Sequence, residues 1–146
     1  MTARLPSTPG LPTKSRKVAR RSDETPIHIA IVEYLRLVLP DALIWHTPNG
    51  GKRSKREAAE LKRMGVLAGV PDIAILTRFG VVLFIEVKAP KGRQSPEQVA
   101  FHDFCIAAKV HYFVARSVDD VRLFLCVLGV PTREATPISP ASVTGA

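Results

Sequence analysis

Between Thr25 and Leu128 the chain alternates apolar runs of helical and extended character, separated by short breaks rich in Gly, Pro and Asn. Thr25 and Pro26 read as an N-cap and a first helical residue, opening a helix from Ile27 to about Leu39 that Pro40 follows. The segment ALIWH, Ala42 to His46, is short and apolar enough for a strand. TPNGG follows as a loop whose Asn49 and glycines tolerate positive φ. A helix from about Ser54 to Met64 comes next, with Gly65 as its C-terminal cap. Asp72 to Thr77 and Val81 to Lys88 predict two strands around Arg78, Phe79 and Gly80. A helix from Pro96 to Lys109, a strand from His111 to Ala115 and a helix from about Val118 to Leu128 complete the pattern, and no internal repeat is present.

Charged residues interrupt the two central apolar runs, and the strand register shows what they meet. With Arg78, Phe79 and Gly80 as a three-residue hairpin loop and Gly80 in the left-handed region, Thr77 pairs with Val81 and Asp72 lies opposite Glu86. Directly opposed residues have Cβ atoms ~4.5–5.5 Å apart, so two carboxylates there repel unless a cation intervenes. Side chains alternate along a strand, which puts Lys88 on the same face as Glu86 and sends Val87 the other way. Ile73, Ile75, Val81, Leu83, Ile85 and Val87 cover that other face. Ala74, Leu76, Val82 and Phe84 extend the first, so both strands are expected to be buried on two sides with the charges at one end. Oxygen donors without a convergent His or Cys set favour Mg²⁺ or Mn²⁺, with Asp72, Glu86 and the backbone carbonyl of Val87 as protein ligands. The alternative for each residue alone is a strand-start Asp and a solvated Glu86–Lys88 edge pair.

Composition narrows the partner. The 146 residues suit one ordinary domain, divided into a basic arm over 1–22, a folded domain over 23–129 and a tail over 130–146. The 21 Lys and Arg exceed the 13 Asp and Glu by eight, which implies an acidic partner, and nucleic acid is the usual one. Arg4, Lys14, Arg16, Lys17, Arg20 and Arg21 lie in a Pro- and Ser-rich arm without an acid, which reads as disordered and either solubilising or phosphate-seeking. Cys105 and Cys126 sit in apolar runs and fit reduced core residues better than a disulfide. No apolar run approaches the ~20 residues of a membrane span, nor is there a signal-like stretch, so a cytoplasmic protein without membrane contact is expected. The phosphate loops GxGxxG and GxxxxGK[ST] are absent, which argues against nucleotide chemistry.

Gly69-Val70-Pro71-Asp72, then Glu86-Val87-Lys88, then Gln98 resembles the VRR-NUC branch of the PD-(D/E)XK nucleases. HTPNGGKR before these residues, LKRMGVLAG leading into them and KGRQSPEQ after them make the likeness specific, and it extends from about Glu33 to Phe124. The resemblance implies an α/β, restriction-endonuclease-like αβββαβ core with a central mixed sheet flanked by helices. It also implies a metal-dependent phosphodiesterase in which Asp72 and Glu86 bind the ion and Lys88 assists the attacking water. A helical acid is expected before the motif and falls on Glu33, binding metal directly or through water; Ile29, Ala30 and Leu37 surround it at helical spacing, while pairing with Arg36 is its plain alternative. Gln98 stands at a family position, yet Ser95-Pro96-Glu97-Gln98 is also a capping box.

For nucleic acid, Lys52, Arg53, Lys55, Arg56, Lys91 and Arg93 are the expected phosphate contacts, with His46 and Asn49 as further candidates; a solvated helix face and an ordinary turn are their alternatives. Stand-alone members of the resembling family are similar to junction resolvases. The expectation is therefore a Holliday-junction-type endonuclease on branched DNA, acting as a homodimer with an apolar patch on the last helix, Val121, Leu125 and Leu128, as one interface. Exonuclease or flap cleavage, and binding without cleavage, are the competing readings.

Overall fold

The computed structural model describes residues 19–48 and 54–134. Its elements are α1 (Ala19–Val38), β1 (Leu43–His46), α2 (Lys55–Arg63), β2 (Ile73–Leu76), β3 (Val82–Val87), α3 (Pro96–Ala107), β4 (His111–Ala115) and α4 (Val118–Val127). The sheet order is β1-β2-β3-β4; the first two pairings are antiparallel and β3 runs parallel to β4, with α3 as the crossover. This is the mixed sheet of the expected αβββαβ core, with α2 inserted between β1 and β2.

Period-2 alternation sorts the sheet residues into two layers. Ile73, Ile75, Leu83, Ile85, Val87 and Ala115 face one way and pack on Ile31, Leu35 and Val38 of α1 and on Val121 and Leu125 of α4, all fully or almost fully buried. Phe84 and Tyr112 face the other way, where Phe101 of α3 meets the Phe84 ring edge-on at 5.5 Å and the Tyr112 ring at 6.2 Å. The sheet is thus a middle layer between α1 with α4 and α3.

The folded unit reaches further at both ends than the sequence predicts. Pro26 lies inside α1 rather than at its first position. At that position proline has no N–H to donate to the carbonyl four residues earlier, so one rung of the helical ladder is missing there. At the other end, residues 130–134 pack as a strap: Arg133 N donates to Val38 O at 2.9 Å, and Glu134 accepts from Tyr34 Oη at 3.1 Å and from Arg122 Nε at 3.2 Å. The remaining arm and tail lie outside the described residues. Val121 and Leu125, expected as a patch for a partner, are core residues 0% and 1% exposed, and Leu128 packs against the same core. The apolar face of α4 is consumed by its own sheet and α1, so it is not an interface.

Candidate active site

The β2–β3 hairpin sets the site. Thr77 N donates to Val81 O at 3.0 Å, Gly80 N donates to Thr77 O at 3.0 Å, and Gly80 holds φ at 79°. From there the ladder runs Leu76↔Val82, Ile75↔Leu83, Ala74↔Phe84 and Ile73↔Ile85, and one further step sets Asp72 against Glu86. Asp72 is anchored to that strand, its Oδ2 accepting from Val87 N at 2.9 Å.

Glu86 is 0% exposed in the middle of a sheet, a costly place for a charge unless it is partnered. Its Oε1 accepts from Lys88 Nζ at 2.5 Å and from Gln98 Nε2. Its Oε2 is buried and has no hydrogen-bond partner among the described residues. Burial, then the neighbouring Asp72 carboxylate and to a smaller extent Glu24, push the Glu86 carboxyl up to about 7, while the hydrogen bond and charge of Lys88 pull the other way. One lysine therefore does not compensate the negative charge gathered here. An orphaned carboxylate oxygen beside a second carboxylate is the donor set of a hard divalent cation, and these residues fit one. Among the described residues no group of three or more His, Cys, Asp or Glu forms a ready-made metal cluster, so backbone oxygen and water would complete the coordination.

Gln98 closes the capping box and reaches Glu86 with the same side chain. Its Oε1 accepts from Ser95 N at 2.8 Å and its N accepts no side chain but donates to Ser95 Oγ at 3.3 Å, closing the capping box of α3. The same side chain sends Nε2 to Glu86. The cap that starts the helix thus aims the amide at the acid.

Glu33 is not brought to this cluster. It is exposed on α1, and the Ile29 and Leu37 that surround it in sequence are 52% and 63% exposed. The residue of α1 that arrives is Glu24, whose Oε1 accepts from Ala89 N at 3.3 Å, next to Lys88. Nine residues at 100° each turn the helix by half a revolution relative to Glu33 and about 13 Å along the axis, so the two acids cannot share a site. The available signal was the face of α1: Glu24, His28, Ile31 and Leu35 follow helical spacing, and Ile31 and Leu35 are core residues. Placing the helix start at Thr25 and Pro26 left Glu24 outside it.

His28 was likewise missed. Its ring meets that of His46 edge-on at 4.7 Å, and His46 Nδ1, facing a carbonyl, donates to Asp72 O at 2.9 Å. Burial first, then His46, lowers the His28 pKa, opposed by Asp72. His46 thereby braces the backbone of the first acid. Lys55 and Arg56 are exposed at the start of α2, and Lys91 and Arg93 are exposed on the loop after Lys88. Asn49, Lys52 and Arg53 lie outside the described residues.

Residues 24–119 match the family model of the VRR-NUC domain. A solved structure described as a VRR-NUC domain protein aligns at 24% identity over 75% of this chain and 90% of its own, with a TM-score of 0.59, which shows a shared fold. Another, described as a VRR-NUC domain, aligns at 21% identity over 70% of this chain and 94% of its own, with a TM-score of 0.49. No curated protein matches the chain at a significant level. Among the described residues no helix is long and apolar enough to cross a membrane.

Proposed function

The chain belongs to the VRR-NUC family of nuclease-type domains, and from that premise we propose that it hydrolyses phosphodiester bonds in DNA at Asp72, Glu86 and Lys88, using Mg²⁺ or Mn²⁺. The observation that carries the reading is the buried, unpartnered Glu86 Oε2 beside the Asp72 carboxylate. Asp72, Glu86 and the Val87 carbonyl would hold the ion, which when bound lowers the pKa of its water and neutralises the scissile phosphate.

The other residues have separable tasks. Lys88 spends one of its three protons on Glu86 Oε1, which leaves two for the attacking water or a phosphate oxygen. Gln98 holds the same carboxylate oxygen and so leaves Oε2 as the one that would be offered to a cation. Glu24 fixes the backbone after Lys88, and His46, braced by His28, fixes the backbone of Asp72. Lys52, Arg53, Lys55, Arg56, Lys91 and Arg93, with Asn49, contact phosphates and set position rather than sequence choice.

Coordinated cleavage of two strands needs two sites, and this chain supplies one; a twofold homodimer on a four-way junction meets that need. The face that suits a second copy is the one between α2 and α3. An apolar cleft of about 1120 Å³ opens there, lined by Leu61, Val66, Leu67, Phe101 and Phe104 among others. Lys62 and Arg63 on α2 complement Glu97 and Asp103 on α3, so a twofold axis would set each basic helix against its partner's acidic one.

Incubation with duplex, flap, single-stranded and four-way-junction DNA, with Mg²⁺, Mn²⁺ or EDTA, tests the reading. Metal-dependent paired nicks in the junction are expected. Binding without cleavage on every substrate would remove the enzymatic reading. A solution mass near 15.9 kDa at micromolar concentration together with cleavage of flaps or ends alone would remove the resolvase and leave a nuclease.

A further inference from the structure

Residues 89–94 join β3 to α3 and begin by folding back on Lys88. Gly92 N donates to Ala89 O at 2.8 Å, closing a turn. A Cβ at the buried Gly92 would stand 3.1 Å from Ala89 O, 3.2 Å from Ala89 N and 3.3 Å from Lys88 Cβ. The turn therefore lies against the base of the lysine side chain, close enough that a methyl group at Gly92 would make its neighbours give by a few tenths of an ångström.

Three side chains from distant elements hold that turn. Glu24 of α1 accepts from Ala89 N, Arg116 Nη2 donates to Gly92 O at 3.0 Å, and Tyr112 Oη accepts from Gln94 Nε2 at 3.1 Å. Arg116 is itself fixed at its backbone, where its N donates to Asp120 Oδ2 at 2.8 Å in the first turn of α4. It also follows Ala115, whose carbonyl receives Lys88 N at 2.9 Å, so the parallel ladder sets Arg116 across from Lys88.

Resting on the nuclease reading, we infer that Arg116 is a positioning residue: by clamping the Gly92 carbonyl it holds the turn against Lys88 and so fixes where Nζ lies relative to Glu86. A lysine stem has four rotatable bonds and loses much freedom when held. Its ammonium is placed by what restrains both ends, Glu86 Oε1 at the tip and the Gly92 turn at the base. The guanidinium reaches a backbone carbonyl, a contact that any sequence in the turn would offer and that only position can supply.

The test compares Arg116→Met, Arg116→Lys and Gly92→Ala in the full chain, reading kcat, KM, the salt dependence of binding and amide exchange over residues 89–94. Arg116→Met should lower kcat about tenfold with KM little changed, the scale expected of a misplaced catalytic group. The Gly92 amide should exchange faster in the same variant. Arg116→Lys, which keeps a cationic donor on a slightly shorter side chain, should recover part of the loss. Gly92→Ala should reproduce the fall in kcat with the guanidinium intact. A higher KM, a shallower salt slope and unchanged exchange would make Arg116 a direct phosphate contact and overturn the clamp. A lower melting temperature with kcat unaltered would also overturn it, leaving a structural role alone. If the wild-type chain cuts none of the DNA substrates, the nuclease reading fails by itself; unchanged Gly92 exchange in Arg116→Met then overturns the clamp independently.

Discussion

Gly69 and Gly80 stand just beyond the two ends of β2, and both hold positive φ, at 80° and 79°. Gly80 has nothing among the described residues within 4 Å of where a Cβ would project; the hairpin turn requires it. At Gly69 a Cβ would lie 2.3 Å from Glu97 O and 2.8 Å from Gln98 N, inside the backbone of the first turn of α3. One glycine reverses the chain, whereas the other lets a helix come close enough to deliver Gln98 to Glu86. The two ends of the hairpin are divided in the same way. The Gly80 end has an exposed Arg78–Asp41 pair at 3.6 Å and an exposed Phe79, while the Gly69 end buries an acid and a lysine. The turn that sets the register and the site proposed for the chemistry thus lie at opposite ends of one short ladder.

The sharpest way to test that division is to remove charge at the buried end. Asp72→Asn and Glu86→Gln should each cut cleavage by about 10³-fold or more, since loss of a single preorganised electrostatic group costs ~10²–10³ and here cation placement goes with it. Nucleic-acid binding, measured by titration, should persist. Near-normal cleavage by either variant would sink the site.

Next in size is the acidity of Glu86. A carboxyl that ordinarily ionises near 4.5 does so at about 7 in the fold, so between those values the folded chain keeps a proton that the unfolded chain has released. Without divalent cation, stability should therefore be fullest below pH 4.5 as far as this group is concerned. It should fall as pH rises through 7, by up to about 3 kcal/mol. Added Mg²⁺ or Mn²⁺ should recover the loss at pH 8 and do little at pH 5. Denaturant unfolding in EDTA at both values decides it; equal stability would mean that the acid is compensated within the protein.

Gly69→Ala should cost about 3 kcal/mol in the same assay, as strained φ is joined by a backbone clash, and should also lower cleavage by displacing Gln98. The matching change at the other end is smaller. Gly80→Ala should cost about 1 kcal/mol and leave kcat unaltered. Equal effects of the two substitutions on cleavage would erase the distinction between the ends.

The hairpin register was legible because every cue to it is local: alternating side chains, a three-residue loop and a glycine that accepts positive φ. The capping box at Ser95 was legible for the same reason. What sequence reading missed lies in relations between distant segments. Proline favours the first turn of a helix, so Pro26 reads as a start, and nothing local reveals that Ala19 to Thr25 continue the helix before it. The helical acid that the resemblance implies falls on Glu33, whose apolar neighbours Ile29 and Leu37 face solvent. The face holding Glu24 and His28 is fixed by Ile31 and Leu35 packing against the sheet. Likewise, the apolar spacing of Val121 and Leu125 is common to a core helix and a docking helix, and only tertiary packing separates the two.

β1 is four residues long, belongs to the margin of the sheet, and is bounded by Pro40 before it and Pro48 after it. An open strand edge is a template on which another chain can add itself, and short length with flanking proline is a common defence against that. Leu43 and Trp45 are exposed there, so the defence rests on geometry and not on polarity. The consequence concerns how copies of this protein meet at high concentration: few backbone groups are offered in register, so association through helices is favoured over growth into an extended sheet.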